Sequence, residues 1–285
     1  MNNRFGTTIA ITILCLLSLS CGLTFSSPDE EPQVDLAATQ QALSATQIAL
    51  AVQQTSAAQQ ALPVEEPRFE YNGISLALPA QWSMSAEIVP SDLDMESFWG
   101  SPEHERLNVL SYPILNDYHD AHISIFPVDV YSAESEIASE RIADLSSMLA
   151  NRPANPQVNE LPFLPIFNAG MLGMFKFDYL DFQSGSGVRY VTQFGQAFFP
   201  FNNEGMVYTF QGLTSDGRFY VSALLPVSHP TLGMYSNFEL SEDFYDNAEQ
   251  FLADQMAALD AQSPDSFSPT LSSLDAMLSS LRIDK

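Results

Sequence analysis

The chain has few positive charges. Only 10 of its 285 residues are lysine or arginine, against 35 aspartates and glutamates, and the formal net charge is −25. Nucleic-acid binding needs clustered cations to neutralise phosphates, so this composition argues against a nucleic-acid partner. An acidic chain is also repelled by an anionic lipid surface. The same charge is compatible with high solubility and with cation binding.

Cysteine is almost absent, and no apolar run is long. The two cysteines, Cys15 and Cys21, both lie near the N-terminus, so the rest of the chain cannot form an intramolecular disulfide. The longest apolar run covers residues 9–19 and is too short to span a bilayer comfortably. With Arg4 before it, this run is typical of a secretory signal peptide.

The run ends in Leu17-Ser18-Leu19-Ser20-Cys21-Gly22. This motif resembles the lipobox of bacterial lipoproteins, in which a small residue precedes the cysteine that is lipidated. Ser18 departs from the usual leucine three residues before the cysteine, although Leu17 lies beside it. The resemblance implies a signal peptide over residues 1–20, lipidation at Cys21 and a lipid-anchored location on the extracytoplasmic face of a bacterial membrane, in the cell envelope. The alternative is that Cys21 is incidental and the peptide is cut elsewhere or kept.

Two segments follow the cysteine. Residues 21–33 are polar, acidic and contain prolines, which predicts a flexible spacer. Residues 34–67 are rich in alanine, glutamine and threonine, with leucines seven residues apart at Leu36, Leu43 and Leu50. Good helix formers predict a helical stalk, but the partner positions of the heptad are polar, so a stable coiled coil is not expected. A disordered linker is the alternative.

Residues 68–285 are expected to form a single α+β domain. Aromatic and β-branched runs at 174–182, 188–197, 206–213 and 219–227, separated by glycine- and asparagine-containing turns, predict a four-stranded antiparallel meander over residues 173–228. An N-terminal hairpin is predicted around Asn72-Gly73, and two further strands at 107–112 and 122–128. Residues 83–106 are expected to be irregular.

The hairpin strand after Gly73 is followed by Pro79-x-x-Trp82. This opening is similar to that of PsbP-like domains. The resemblance implies an antiparallel sheet flanked by helices. It implies no activity for any residue of this chain.

Three helical segments are expected to cover the sheet. One is predicted to begin with Ser132 as its N-cap, the second after Ser241, and the third at Ser268-Pro269 with proline in its first position. The third carries an apolar stripe, which predicts that it packs on the sheet and closes the core: Leu271, Leu274, Leu278 and Leu281. Its polar residues are expected to face water: Ser272, Ser273, Asp275, Ser279 and Ser280.

Strict alternation at the start of the meander predicts an aromatic face and a wet face. Phe175, Phe177 and Tyr179 would share the first, and Lys176 and Asp178 the second.

The most site-like cluster is Asp117-Tyr118-His119-Asp120-Ala121-His122. Two imidazoles and two carboxylates could bind a divalent cation through Asp117, His119, Asp120 and His122. On an extended chain these residues alternate between two faces, so they could converge only at a bend. The alternative is a polar connection between two strands.

Other sites are less favoured. Asp92, Asp94 and Glu96 could offer oxygens to calcium, but the glycine and the later glutamate of an EF-hand are missing. The chain has no Gly-x-Ser-x-Gly motif and no glycine-rich phosphate loop.

The sequence therefore favours a membrane-anchored extracytoplasmic lipoprotein whose domain binds a protein or small-molecule ligand. It predicts no cofactor other than a divalent cation. The alternatives are a surface hydrolase that uses acidic residues or a metal, and a structural spacer of the envelope.

Overall fold

The computed structural model describes residues 67–93, 99–233 and 238–285. These residues belong to one unit, Glu65–Lys285. The predicted signal peptide, Cys21, the spacer and nearly all of the stalk lie outside the described residues, as do Asp94 and Glu96. No described helix is long and apolar enough to cross a membrane.

The described residues form a seven-stranded sheet and a three-stranded sheet. The larger sheet has the order β3-β4-β5-β9-β8-β7-β6, and every neighbouring pair in it is antiparallel. Its strands are β3 (Ser83–Val89), β4 (His104–Leu110), β5 (His122–Pro127), β6 (Gly170–Phe182), β7 (Gly185–Gly195), β8 (Met206–Thr214) and β9 (Phe219–Pro226). The α+β class and the antiparallel meander of β6 to β9 are confirmed.

The smaller sheet consists of β1 (Arg68–Tyr71), β2 (Ile74–Ala77) and β10 (Arg282–Ile283). The first two form the predicted hairpin, with both Asn72 and Gly73 at positive φ in the turn. That geometry is why Asn-Gly predicts this turn so well. The short C-terminal strand β10 pairs with β2. This pairing joins residues far apart in the chain, and no local sequence pattern predicts it.

The expectation that residues 83–106 are irregular is wrong for 83–89 and 104–106, which lie in strands, whereas residues 90–93 and 99–103 belong to no helix or strand. Strand β3 pairs with β4 along its whole length, from Ser83 opposite Leu110 to Val89 opposite His104. Strand β3 is an edge strand of the sheet, and several of its residues are polar. Only Met84 and Ala86 pack against the core, so the alternation of apolar and polar residues along β3 is weak.

Helices cover both faces of the large sheet. They are α1 (Val128–Glu134), α2 (Glu136–Asn151), α3 (Glu242–Asp246), α4 (Ala248–Asp260) and α5 (Leu271–Ser279). One core lies between the sheet, α4, α5 and the small sheet. The other lies between the sheet and α1 and α2. Strands β8 and β9 are buried almost throughout because both of their faces are covered.

Two helix starts differ from the sequence prediction. The first predicted helix is divided in two by Ser135, whose hydroxyl accepts a hydrogen bond from the Ala138 amide and caps α2. The last helix begins at Leu271 with Thr270 as its N-cap, and the Ser268-Pro269 bond is cis. The Ser241 cap is confirmed by the hydrogen bond from the Phe244 amide.

The predicted aromatic face of β6 is also wrong. The pairing of β6 with β7 shifts register between Phe175 and Asp178, and Lys176 has a positive φ of 55°. This bulge re-aims the side chains, so Phe175 packs in the core beside α4 and α5, whereas Phe177 and Tyr179 pack on the side of α2.

Helix α5 closes the core as the leucine stripe predicts. Leu271, Leu274, Leu278 and Leu281 are all fully buried. The expectation for the polar face is only partly right. Ser272 is exposed, but the Asp275 side chain is 24% exposed and lies 3.2 Å from the Arg189 guanidinium.

Candidate functional site

The predicted metal-binding residues lie in the loop between β4 and β5 and at the start of β5. Asp117 and Asp120 are exposed, His119 is half-buried, and His122 is the first residue of β5. The side-chain oxygen of Asn116 shapes this loop, because it accepts hydrogen bonds from the amides of Tyr118 and His119.

His119 packs against aromatic rings. Its imidazole stacks on Phe167, with 5.0 Å between ring centroids, and meets the edge of Phe194 at 5.9 Å. Burial lowers the pKa of His119 to about 4, because removal of water disfavours the charged imidazolium. The ring is therefore neutral at pH 7.

His122 faces Arg106. Its Nδ1 lies 2.7 Å from the main-chain oxygen of Asp120 and 3.2 Å from Nη2 of Arg106. Burial, with Arg106 as the second cause, lowers the pKa of His122 to about 3. A neutral imidazole nitrogen is either a donor or an acceptor, so Nδ1 cannot serve both neighbours. When Nδ1 donates to the Asp120 oxygen, Arg106 gains no hydrogen bond from His122.

The structure does not bring the four predicted ligands together. No group of three or more histidine, cysteine, aspartate or glutamate residues is placed to hold a metal ion within the described ranges. His119 and Asp120 line one cleft, whereas Asp117 and His122 do not line it. Cation binding by Asp117, His119, Asp120 and His122 stays a prediction, and the metal content of the purified protein is its test.

The cleft beside this loop has a volume of about 680 Å³. Polar side chains of β3 and β4 line one part of it: Ser85, Glu87, Arg106 and Asn108. The loop that follows β4 lines the other part with both apolar and polar side chains, and its Leu115 is 92% exposed. A cleft of this size can hold a small molecule, and its lining mixes polar, charged and apolar side chains.

Arg106 is the most informative residue of the cleft. Its buried Nε has no hydrogen-bond partner among the described residues. Most other cations of the described part pair with carboxylates: Arg141 with Asp144, Arg152 with Asp181, Arg189 with Asp178 and Asp275, Arg218 with Asp216, Arg282 with Asp284, and Lys285 with Glu105. Of the described cations, Arg68 and Lys176 also lack a carboxylate, but they donate to Ser75 Oγ and to main-chain oxygens. The buried Arg106 Nε without a partner therefore favours an anionic ligand at this residue.

Glu87 would be the natural partner, since it lies directly opposite Arg106 in the β3–β4 register. Instead its carboxylate accepts a hydrogen bond of 2.7 Å from the Asn108 amide. No ion pair joins Glu87 to Arg106 in the part of the chain that the structure describes. The cleft therefore presents a cation and a carboxylate side by side, neither of which neutralises the other by contact.

Sequence reasoning missed Arg106 and Glu87, because both lie in the segment that was expected to be irregular. The scarcity of cations was the available signal, since each one in this chain has many carboxylates to choose from. Which cation stays without a carboxylate depends on strand register, and register is a property of the folded sheet.

Two other clefts are weaker candidates. The first, of about 650 Å³, lies beside the β1–β2 hairpin, where Arg282 and Asp284 already form an ion pair. The second, of about 330 Å³, lies at the β6 bulge, where the Lys176 ammonium donates to the main-chain oxygens of Asp260 and Gln262 and so caps the end of α4. Lys176 in the second cleft therefore already has structural partners, and Arg68 in the first donates a hydrogen bond to Ser75 Oγ.

Comparison with protein-family models and with curated proteins found no match to this chain.

Proposed function

We propose that this chain is a lipid-anchored protein of the extracytoplasmic face of a bacterial membrane, and that its domain binds a small-molecule ligand in the cleft between β3, β4 and the loop after β4. The observation that carries the binding proposal is the Arg106 guanidinium, which lines the cleft without a carboxylate partner in the described part of the chain. A buried or half-buried charge is costly unless it is paired, so binding of an anionic group would relieve that cost.

The anchoring proposal comes from the sequence. The lipobox-like residues Leu17-Ser18-Leu19-Ser20-Cys21 support lipidation at Cys21, and residues 34–67 would then serve as a stalk that holds the domain off the membrane. We likewise propose a PsbP-like architecture for the domain, because the strand after Gly73 is followed by Pro79-x-x-Trp82.

Ligand binding is tested by thermal denaturation of the full chain in detergent, with a panel of small organic acids. A ligand that binds only the folded state raises the melting temperature by mass action. We expect at least one acid to stabilise the wild type and to have no effect on Arg106→Gln. Arg141→Gln is the matched control, because Arg141 lies on α2 in an exposed pair with Asp144. Equal stabilisation of wild type and Arg106→Gln by every acid would reject the site.

Anchoring is tested separately by metabolic labelling with a fatty-acid probe. Wild type should carry the label and fractionate with membranes, whereas Cys21→Ser should carry none. An unlabelled wild type would reject lipidation and leave the cleft proposal unaffected.

The metal-dependent or acidic hydrolase and the envelope spacer remain alternatives of a different class. The spacer predicts no ligand whose binding depends on Arg106, so the same melting experiment separates it from a binding domain. Chemical conversion of the stabilising ligand would instead indicate the hydrolase.

A further inference from the structure

The charged residues that line the cleft are one cation and two carboxylates: Arg106, Glu87 and Asp120. His119, whose ring stacks on Phe167, also lines it. A ligand with only an anionic group would be attracted by Arg106 but repelled by the two carboxylates nearby. A ligand with only a cationic group would leave Arg106 without a partner.

The two signs of charge lie close enough for one small molecule to meet both. Glu87 is directly opposite Arg106, and the side chains of such cross-strand neighbours begin about 5 Å apart. Asp120 lines the same cleft from the loop side, and its main-chain oxygen lies 2.7 Å from His122 Nδ1, the atom that lies 3.2 Å from Arg106 Nη2.

Part of the remaining wall is aliphatic, beside polar side chains and the ring of Tyr112. It includes Leu110, which is 45% exposed, Leu115, which is 92% exposed, and Ile114 between them in the chain. Large exposed aliphatic side chains at one cleft lose contact with water when an apolar group of a ligand packs on them, which favours binding of such a group.

From this arrangement we infer that the ligand is an aliphatic zwitterion, a molecule that carries an ammonium and a carboxylate together with a branched hydrocarbon, such as an aliphatic amino acid or a short peptide made of such residues. The inference rests on the proposed binding function of the cleft and specifies its ligand class. The carboxylate pairs with Arg106, the ammonium with Glu87 and Asp120, and the hydrocarbon packs on Leu110, Ile114 and Leu115.

The test is isothermal titration calorimetry on the full chain in detergent with four probes. Leucine carries both charges, 4-methylpentanoate is leucine without its ammonium, and 3-methylbutylamine is leucine without its carboxylate. Leucyl-leucine carries both charges at a wider spacing. We expect leucine or leucyl-leucine to bind at least about tenfold more tightly than either singly charged probe, and the preference between the two distinguishes an amino acid from a peptide.

Charge-removing variants give a readout that a merely structural role would not produce. In Arg106→Gln the zwitterion should lose its advantage over 3-methylbutylamine, whereas in Glu87→Gln it should lose most of its advantage over 4-methylpentanoate. Asp120→Asn, in an exposed part of the loop, should act in the same direction as Glu87→Gln and keeps the test valid if a strand variant fails to fold. Glu134→Gln, at the exposed end of α1, is the matched control and should bind like wild type.

Two results would overturn the inference, and they can be told apart. If 4-methylpentanoate binds as tightly as the zwitterions and its binding depends on Arg106, the ligand class is wrong but the proposed anion-binding cleft stands. If no probe binds in a manner that depends on Arg106, Glu87 or Asp120, both the ligand class and this use of the cleft are rejected.

Discussion

The hydroxyl of Tyr208 in β8 donates a hydrogen bond of 2.8 Å to Oδ1 of Asp275 in α5. Arg189 Nε of β7 lies 3.2 Å from the same oxygen, and Arg189 Nη2 lies 3.6 Å from Asp178 of β6. Burial raises the pKa of Tyr208, so its hydroxyl stays protonated and remains a donor. These contacts join the closing helix to three neighbouring strands of the meander.

Removal of Asp275 should therefore destabilise the domain. Asp275→Ala leaves the Arg189 side chain, which is 10% exposed, with only the exposed Asp178 as a charged partner. Breaking a buried pair costs about 3–5 kcal/mol, and the partial exposure of Asp275 reduces our expectation to about 2–3 kcal/mol. Urea denaturation measures the change. Asp144→Ala is the control, since it breaks an exposed pair on α2 and should cost less than about 1 kcal/mol. Equal losses in the two variants would contradict the prediction.

The leucine stripe of α5 makes a second prediction. Leu278 is fully buried, so Leu278→Ala should lower the free energy of unfolding by about 2–5 kcal/mol, the usual cost of a cavity left by a core leucine. Ser272→Ala, on the exposed side of the same helix, should change it by no more than about 0.5 kcal/mol. Chemical denaturation of both variants measures the contrast, and a loss below about 1 kcal/mol for Leu278→Ala would mean that α5 is peripheral.

Alanine substitutions at Gly73 and Gly217 distinguish the cost of backbone strain from the cost of a steric clash. Both glycines have positive φ, 74° at Gly73 and 70° at Gly217, so alanine is strained at each and should cost about 1 kcal/mol. A Cβ at Gly73 would also meet the Asp284 main-chain oxygen at 2.5 Å, whereas a Cβ at Gly217 would meet nothing within 4 Å. We expect Gly73→Ala to lower the melting temperature clearly more than Gly217→Ala does. Equal shifts would show that β10 is not held against the hairpin turn.

The buried ring of His119 predicts a pH dependence of stability. Its pKa is about 4 in the folded protein and about 6.5 when unfolded, so between these values the unfolded chain binds more protons. Its contribution is complete above about pH 6.5 and is lost as the pH falls towards 4. His119→Phe keeps an aromatic ring against Phe167 and removes this titration. The free energy of unfolding should therefore fall less between pH 7 and pH 5 in the variant than in wild type. Tyr118→Phe, an exposed neighbour, should follow wild type, and an unchanged slope in His119→Phe would refute the prediction.

Local patterns predicted what local interactions decide. The Asn72-Gly73 hairpin, the meander strands, the Ser241 cap and the Leu271–Ser279 helix stripe each follow from a turn preference or a periodicity that acts over a few residues. These elements lie close to their predicted positions because their favoured conformations agree with the fold.

Other features depended on neighbours far along the chain. Strand β3 forms because β4 supplies its hydrogen-bond partners, although its own sequence has few core residues. The bulge at Lys176 moves Phe177 and Tyr179 to the opposite face from Phe175, and strict alternation cannot anticipate an inserted residue. Asp275 faces Arg189 rather than water because the two elements meet only in the folded domain.

The sequence by itself determined the acidic character, the lipobox-like N-terminus, the α+β class and the closing helix. These features follow from composition and from periodicity over a few neighbouring residues, so they do not depend on distant contacts. Only the tertiary structure decided the candidate site. The four residues predicted as cation ligands are neighbours in sequence but diverge in space, with His119 against Phe167 and His122 against Arg106. Arg106 and Glu87 are brought together by the register of two strands, and whether a charge is paired depends on which strand lies beside it.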